Sequence, residues 1–144
     1  KWTGWGQKAR RHWKTGRKSK PNGPLTKRPI NQSKVLAVQA GDFVWVNFDP
    51  AFGHEQSGRR PAFVLSDEKY NGISSGVVVC PISSSQNDWP FRVPLPTDSP
   101  ISGYILVDQI KTIDKRRIVS EVIGRAPDET RARVLLVLDA VMGR

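Results

Sequence analysis

From about residue 41 onward, the hydrophobic positions of this chain fall into short runs separated by turn-forming residues. Runs of β-branched and aromatic residues bounded by Gly, Pro, Asn and Asp are typical of β-strands. Pro94 indicates that its run lies at a sheet edge or a bulge, and the unbroken Val77-Val78-Val79 predicts a strand covered on both faces. The predicted strands are residues 43–48, 62–65, 76–82, 91–95, 102–110 and 112–113.

The end of the chain predicts one amphipathic helix. It opens at Pro127-Asp128-Glu129-Thr130, where a proline and two acids suit the first helical turn. Short strands closed by one helix predict a mainly β fold, a small antiparallel barrel or strongly curled sheet with the helix packed on it. Apolar residues recur at helical spacing and are expected to face the core: Val134, Leu135, Leu138, Val141 and Met142.

The distribution of charge divides the chain into two parts. Residues 1–34 hold eleven of the 23 Lys and Arg and no acids, whereas residues 35–144 hold the other twelve and all 13 acids, which gives +11 and −1. Pro and Gly are also frequent near the start, so residues 1–40 are predicted to be a flexible basic extension and residues 41–144 the folded domain. A short helix over residues 4–19 is opposed by its glycines.

The basic extension interleaves three tryptophans with Lys and Arg. Three interpretations stay open: sequence foreign to the domain, an arm that binds RNA phosphates and bases, or an anchor at a membrane surface. No apolar run is long enough to span a bilayer. The tryptophans are Trp2, Trp5 and Trp13.

Cysteine and histidine are scarce, which excludes several kinds of site. Cys80 is the one cysteine and lies in an apolar run, so we expect a buried thiol and a reducing compartment, the cytoplasm. The two histidines, His12 and His54, have no zinc-site spacing with it, and no phosphate-binding loop or dinucleotide motif occurs. We therefore expect no metal and no cofactor.

A polar loop, residues 54–60, lies between the first two predicted strands and ends at Arg60. An arginine fork matches the oxygens of a phosphate, and a serine or threonine hydroxyl adds a donor. These groups suit RNA cleavage, because the 2′-hydroxyl of RNA can attack its own neighbouring phosphate and the enzyme need only position and stabilise it.

Several separated motifs resemble the MazF/PemK family of toxin ribonucleases over residues 41–142: Gly41-Asp42, Asp49-Pro50, Glu55-Gln56-Ser57-Gly58, Arg60-Pro61 and Asp108-Gln109-Ile110-Lys111-Thr112-Ile113-Asp114. The resemblance implies a curled antiparallel, SH3-like barrel similar to that of CcdB, usually a homodimer. It further implies a type II toxin that cuts single-stranded RNA without a metal, leaving 2′,3′-cyclic phosphate and 5′-hydroxyl ends. An acidic antitoxin of the MazE/PemI type would occupy the RNA groove and silence it.

The same resemblance assigns the catalytic pair to Arg60 and Ser83. The family usually has threonine at the second position; Ser83 keeps the hydroxyl and lacks the methyl group that restricts the rotamer. Guanidinium hardly ever loses its proton, so Arg60 is expected to stabilise charge, and the general base is left between Glu55 and His54. The predicted RNA-binding residues are Glu55, Gln56, Arg59, Ser84, Gln86 and Trp89.

Two other functions compete with RNA cleavage. CcdB-like proteins of the same fold bind a topoisomerase, typically through C-terminal residues, but this chain ends without a Trp-Gly-Ile type tail. The second alternative is an inactive module that binds RNA without cutting it.

Two further segments carry structural predictions. Trp45 is predicted to be a core residue. A turn or short helix with solvated charges is predicted for Lys115-Arg116-Arg117.

Overall fold

The computed structural model of the protein describes residues 37–144. The predictions made for the basic extension, including the short helix over residues 4–19, lie outside the described residues. Among residues 37–144, no helix is long and apolar enough to cross a membrane.

The described part of the chain confirms the mainly β fold with a C-terminal helix. Its strands are β1 Asp42–Asn47, β2 Arg59–Val64, β3 Gly76–Ser83, β4 Arg92–Pro94, β5 Tyr104–Leu106, β6 Lys111–Asp114 and β7 Gly124–Arg125. The α-helices are α1 Glu68–Ile73 and α2 Asp128–Val141. Two single-turn 3-10 helices span Val107–Gln109 and Lys115–Arg117.

All the strand pairs are antiparallel, and the long strand β3 holds the sheet together. The order is β4-β5-β3-β2-β1-β7, and β6 also pairs with β3. One edge of β3 is shared, since residues 76–79 pair with β6 and residues 82–83 pair with β5. The chain must therefore turn between β5 and β6 to pass from one half of β3 to the other. The sheet curls as a result, and Val46 of β1 reaches Ile118 in a further bridge.

Alternation along the strands separates two hydrophobic clusters, one on each face of the sheet. The inner cluster lies on the concave face and the outer cluster lies under α2, where Val134 is fully buried. In the outer cluster, Phe43 and Phe63 are paired across β1 and β2 with ring centroids 6.0 Å apart. The inner cluster includes Val44, Val46, Ala62, Val64, Val77, Val79 and Ile113, and the outer one Phe43, Phe63, Cys80, Ile82, Val93, Ile105 and Val134.

Several sequence predictions about individual elements are confirmed. Val77 and Val79 face one cluster while Val78 packs on the other, so β3 is covered on both faces. Strand β4, with Pro94, lies at the end of the strand order. Cys80 is fully buried, and the short helix predicted over Lys115–Arg117 is a 3-10 turn.

Other predictions are wrong, for reasons that lie in tertiary packing. Trp45 is 41% exposed rather than buried, because α2 packs over β4 and the first 3-10 helix and does not extend to β1. The strand expected over 102–110 ends at Leu106, where the chain turns from β5 toward β6. On α2 only a narrow stripe contacts the sheet, so Leu135, Val141 and Met142 are exposed.

Helix α1 was not predicted from the pattern. It begins after Asp67, whose side chain accepts a hydrogen bond from the Lys69 amide at 3.0 Å. Its one buried side chain, Asn71, donates to the Val38 carbonyl at 2.8 Å. This hydrogen bond fastens the start of the described chain to the helix.

Candidate active site

The pairing of β2 with β3 brings Arg60 and Ser83 to the same face of the sheet. The recorded pairs run from Val64 opposite Val79 to Ala62 opposite Pro81. The paired stretch ends there; Arg60 lies two residues before Ala62 on β2, and Ser83 lies two residues after Pro81 on β3. Side chains two residues apart on a strand point to the same face, so Arg60 shares the face of Ala62 and Val64, and Ser83 shares the face of Val77 and Val79. Both side chains therefore belong to the concave face, opposite α2, at the end where the inner cluster stops.

Arg60 is half-buried, and most of its guanidinium is free to bind an anion. Its Nε donates to the Ser57 carbonyl at 2.8 Å, which orients the side chain. No carboxylate of residues 37–144 forms an ion pair with it. The terminal nitrogens can therefore form the fork that suits two phosphate oxygens. Arg59, one residue away, points to the other face of β2 and is exposed, so it does not join Arg60.

Ser83 ends β3 and is only 6% exposed. Its Oγ accepts a hydrogen bond from the Ser85 amide at 3.2 Å. Because that bond uses a lone pair of the oxygen, the hydroxyl proton is left to donate elsewhere. Gly103 packs against the backbone here, and this fixes the position of Ser83 at the strand end.

The loop of residues 51–58 folds back over the concave face and is attached at both ends. At its base, the Asp49 carboxylate accepts from the Gly58 amide at 2.8 Å, and the Asp49–Pro50 peptide is cis. At its tip, the Gln56 amide donates to Oε1 of Gln109 at 3.0 Å. This second contact ties the loop to the 3-10 helix that precedes β6.

Glu55 and His54, the two candidates for the general base, differ in their surroundings. The Glu55 carboxylate lies 3.5 Å from Nζ of Lys111 on β6 and thus pairs with that cation rather than with Arg60. Lys111 stands opposite Val79 and shares the concave face with Arg60 and Ser83. His54 is exposed at the loop tip.

The second loop, residues 84–90, lies on the other side of Ser83 and carries three predicted RNA-binding residues, all exposed: Ser84, Gln86 and Trp89. Trp89 is held in place, since its Nε1 donates to the Asp108 carboxylate at 2.9 Å and its ring meets the edge of Phe91 at 5.6 Å. The residue is still 50% exposed. An oriented, half-exposed indole is well suited to stack on a base.

Sequence reasoning missed four polar residues beside this site. Gln109 and Lys111 lay within a matched motif but were given no role, although they hold the first loop. No sequence pattern pointed to Arg92 and Tyr104, because only the pairing of β5 with β3 and of β4 with β5 brings them next to Ser83. The Arg92 guanidinium lies 3.7 Å from the centre of the Tyr104 ring.

The thiol of Cys80 lies close to the site in sequence but takes no part in it. Burial, with a smaller contribution from the Asp108 carboxylate, raises the pKa of Cys80 to about 12. The sulfur is therefore protonated at neutral pH and is not a nucleophile. Among residues 37–144, no three His, Cys, Asp or Glu side chains are grouped so that they could hold a metal ion.

Comparison with known proteins assigns the family. Residues 39–142 match the family described as PemK-like, MazF-like toxin of type II toxin-antitoxin system. The chain is 39% identical over 114 residues to the endoribonuclease toxin ChpB of Escherichia coli K12, which covers 76% of this chain and 97% of ChpB.

Solved structures agree with this assignment. MazF from Deinococcus radiodurans has a TM-score of 0.70 and 40% identity, covering 75% of this chain and 98% of its own. A MazE–MazF structure from the same organism has a TM-score of 0.64 and 36% identity, covering 74% and 96%. The chain therefore belongs to the PemK-like, MazF-like family of toxins of type II toxin–antitoxin systems.

Proposed function

We propose that this protein is an endoribonuclease toxin that cleaves single-stranded RNA, with Arg60 and Ser83 acting on the scissile phosphate. The observation that carries the proposal is that Arg60 and Ser83 lie on the same concave face, just beyond the paired stretch of β2 and β3, with the Arg60 terminal nitrogens unpaired in the described chain. Its relatives ChpB and MazF are named endoribonucleases, and this supports the same reaction class here.

The reaction is an intramolecular transesterification. The 2′-oxygen of the RNA forms a bond to phosphorus, the bond from phosphorus to the 5′-oxygen breaks, and the products are a 2′,3′-cyclic phosphate and a 5′-hydroxyl. Arg60 binds the non-bridging oxygens and stabilises the negative charge that builds up on them. The Ser83 hydroxyl donates a hydrogen bond to one of these oxygens or to the leaving 5′-oxygen, which takes its proton from solvent water as the bond breaks. No step requires a metal ion.

The 2′-hydroxyl proton must pass to a base during the attack. Glu55 is the better placed of the two candidates, since its carboxylate reaches Lys111 on the concave face, although it is paired with that cation. We propose that Glu55 acts as the base after RNA phosphates compete for Lys111. A Glu55→Gln variant that retains full cleavage at neutral pH would exclude this role.

We propose that RNA lies in a groove between the loops 51–58 and 84–90. Gln56, Ser84, Gln86 and Trp89 would contact bases and sugars there, and Arg59 would contact a phosphate only where the strand passes around the edge of β2. We further propose a cytoplasmic homodimer, silenced by an acidic antitoxin segment in the same groove. The MazE–MazF structure of a relative supports a partner of that type.

The decisive experiment is incubation of the purified protein with a long single-stranded RNA in EDTA. Discrete cuts with cyclic-phosphate ends are expected, and Arg60→Ala should reduce the rate by at least about 10²-fold, as loss of one oxyanion-stabilising group does. Ser83→Ala should lose activity, whereas Ser83→Thr should retain it. Exposed Arg133 on α2 provides a matched control, because Arg133→Gln removes the same charge far from the site.

Two results would contradict the proposal. Undiminished cleavage by Arg60→Ala would exclude Arg60 as a catalytic residue, and cleavage only in the presence of added metal would exclude the metal-independent mechanism. Folded protein that binds RNA and leaves it intact would indicate the non-cleaving module, and protein that ignores RNA but inhibits a topoisomerase would indicate the other alternative.

A further inference from the structure

On the concave face, polar side chains continue from Ser83 across the neighbouring strands β5 and β4. Ser83 pairs with Tyr104 of β5, and Tyr104 in turn pairs with Pro94 of β4. Opposed residues share a face, and so does Arg92, two residues before Pro94. Arg60, Ser83, Tyr104 and Arg92 therefore form a row across four adjacent strands. The opposite side chains, Val93 and Ile105, are buried in the outer cluster under α2, which confirms the direction of the row.

Arg92 is oriented by two contacts and is otherwise unpaired. Its guanidinium stacks on the Tyr104 ring at 3.7 Å, and one terminal nitrogen donates to the Ser85 carbonyl at 2.8 Å. A guanidinium has five N–H donors, and no carboxylate of the described chain forms an ion pair with this one. A half-buried cation in this position, with free donors and a fixed plane, is a preformed anion site.

The spacing suits a second phosphate of the same RNA strand. Adjacent strands are about 4.8 Å apart, so Ser83 and the β4 strand that carries Arg92 are separated by two such steps. A strand of RNA that places one phosphate at Arg60 and Ser83 and runs across the sheet reaches Tyr104 and Arg92 with its next nucleotide.

We propose that Arg92 and Tyr104 form a nucleotide subsite next to the scissile phosphate, in which Arg92 binds the neighbouring phosphate and the exposed edge of the Tyr104–Arg92 stack contacts the attached nucleoside. This inference rests on the proposed ribonuclease function and deepens it. The subsite supplies binding energy remote from the reacting bond, so it acts on affinity rather than on the chemical step.

The test uses the full chain and an RNA oligonucleotide that contains a cut site mapped on long RNA, with 2′-deoxyribose at the attacking position so that it cannot be cleaved. Arg92→Gln is expected to weaken binding about tenfold and to raise KM while kcat stays within about twofold. The slope of log K against log salt should fall by about 0.7, the value for one phosphate contact on a single strand. Arg133→Gln, with the same charge change, should leave the affinity and the slope at wild-type values.

Replacing single phosphates by uncharged methylphosphonates locates the contact. One phosphate adjacent to the scissile one should weaken wild-type binding when neutralised but have no further effect on Arg92→Gln. Tyr104→Leu should weaken binding, and Tyr104→Phe should retain it.

A role of Arg92 in merely fastening the 84–90 loop through Ser85 makes a different prediction. It would lower kcat and leave the salt slope and the methylphosphonate pattern unchanged, and that result overturns the subsite. Failure of the proposed ribonuclease function can be told apart from failure of the subsite, because in that case wild-type protein would leave the RNA intact. In that event, the salt slopes of wild-type protein and Arg92→Gln on uncleaved single-stranded RNA still decide whether Arg92 binds a phosphate.

Discussion

Gly103 lies against the backbone of Ser83, so closely that a Cβ atom at Gly103 would stand 2.5 Å from the Ser83 carbonyl oxygen. Its φ of +127° is also one that residues with a side chain rarely adopt. The end of β3 that carries the candidate catalytic hydroxyl is therefore held in place by a glycine, which has no side chain that could take part in the reaction.

Gly103→Ala should displace Ser83 and reduce cleavage more than it reduces stability. Strain and the backbone clash are expected to lower the free energy of unfolding by about 1–3 kcal/mol, and kcat should fall more than tenfold because a small misplacement at a reacting centre is costly. Gly143→Ala is the matched control, since Gly143 also has a positive φ but no atom within 4 Å of the added Cβ, and it follows α2 outside the site. Thermal unfolding and cleavage per folded molecule, measured together, decide the case; equal activity of the two variants would contradict it.

Gln109→Ala should release the tip of the first loop. The variant removes the oxygen that accepts the Gln56 amide at 3.0 Å, so that amide should lose protection in hydrogen exchange. Because Glu55 lies in this loop and Arg60 follows it, cleavage should fall about tenfold, with a loss of global stability near 1 kcal/mol, the value of one ordinary hydrogen bond.

Thr112→Ala is the control for the loop, because Thr112 is an exposed residue of β6 whose side chain lies beside Gly76 on β3. Unchanged protection of the Gln56 amide in Gln109→Ala would show that this hydrogen bond does not hold the loop.

Trp89→Ala should weaken RNA binding by about 1–3 kcal/mol, as loss of one stacked base does. Trp89→Phe keeps a ring and loses only the hydrogen bond to Asp108, so its affinity should lie between those of the other two proteins. Fluorescence anisotropy with an uncleavable oligonucleotide measures both. Equal affinity of Trp89→Ala and wild type would show that the indole only covers the edge of Phe91.

The sequence predicts the fold here better than it predicts the surroundings of the site. Strand identity follows from local patterns, because Val77 to Val79 and Phe43 to Val46 are β-formers bounded by turns. The exposure of Trp45 could not be predicted, because it depends on how far α2 extends over the sheet. Burial on one face is a property of packing and not of the strand itself.

The candidate catalytic residues were found by motif, while their neighbours needed the register. Arg60 and Ser83 are 23 positions apart and come to the same face and end of the sheet only through the pairing of β2 with β3. Arg92 and Tyr104 are brought to the same row by two further pairings that no short-range pattern encodes. Long-range pairing thus determines which polar residues share the site.

Cys80 should make the stability of the domain fall at alkaline pH. Burial raises its pKa from 9.0 to about 12 in the folded protein, whereas the thiol of the unfolded chain titrates near its ordinary value. Between pH 9 and 12 the unfolded state therefore holds fewer protons than the folded state, and the free energy of unfolding decreases as pH rises. Below pH 9 the thiol is protonated in both states and contributes no pH dependence. Cys80→Ala should lower stability by a constant amount from lost packing and remove this part of the alkaline decline. Urea unfolding of both proteins from pH 7 to 11 measures the difference, and parallel curves above pH 9 would show that Cys80 is not responsible.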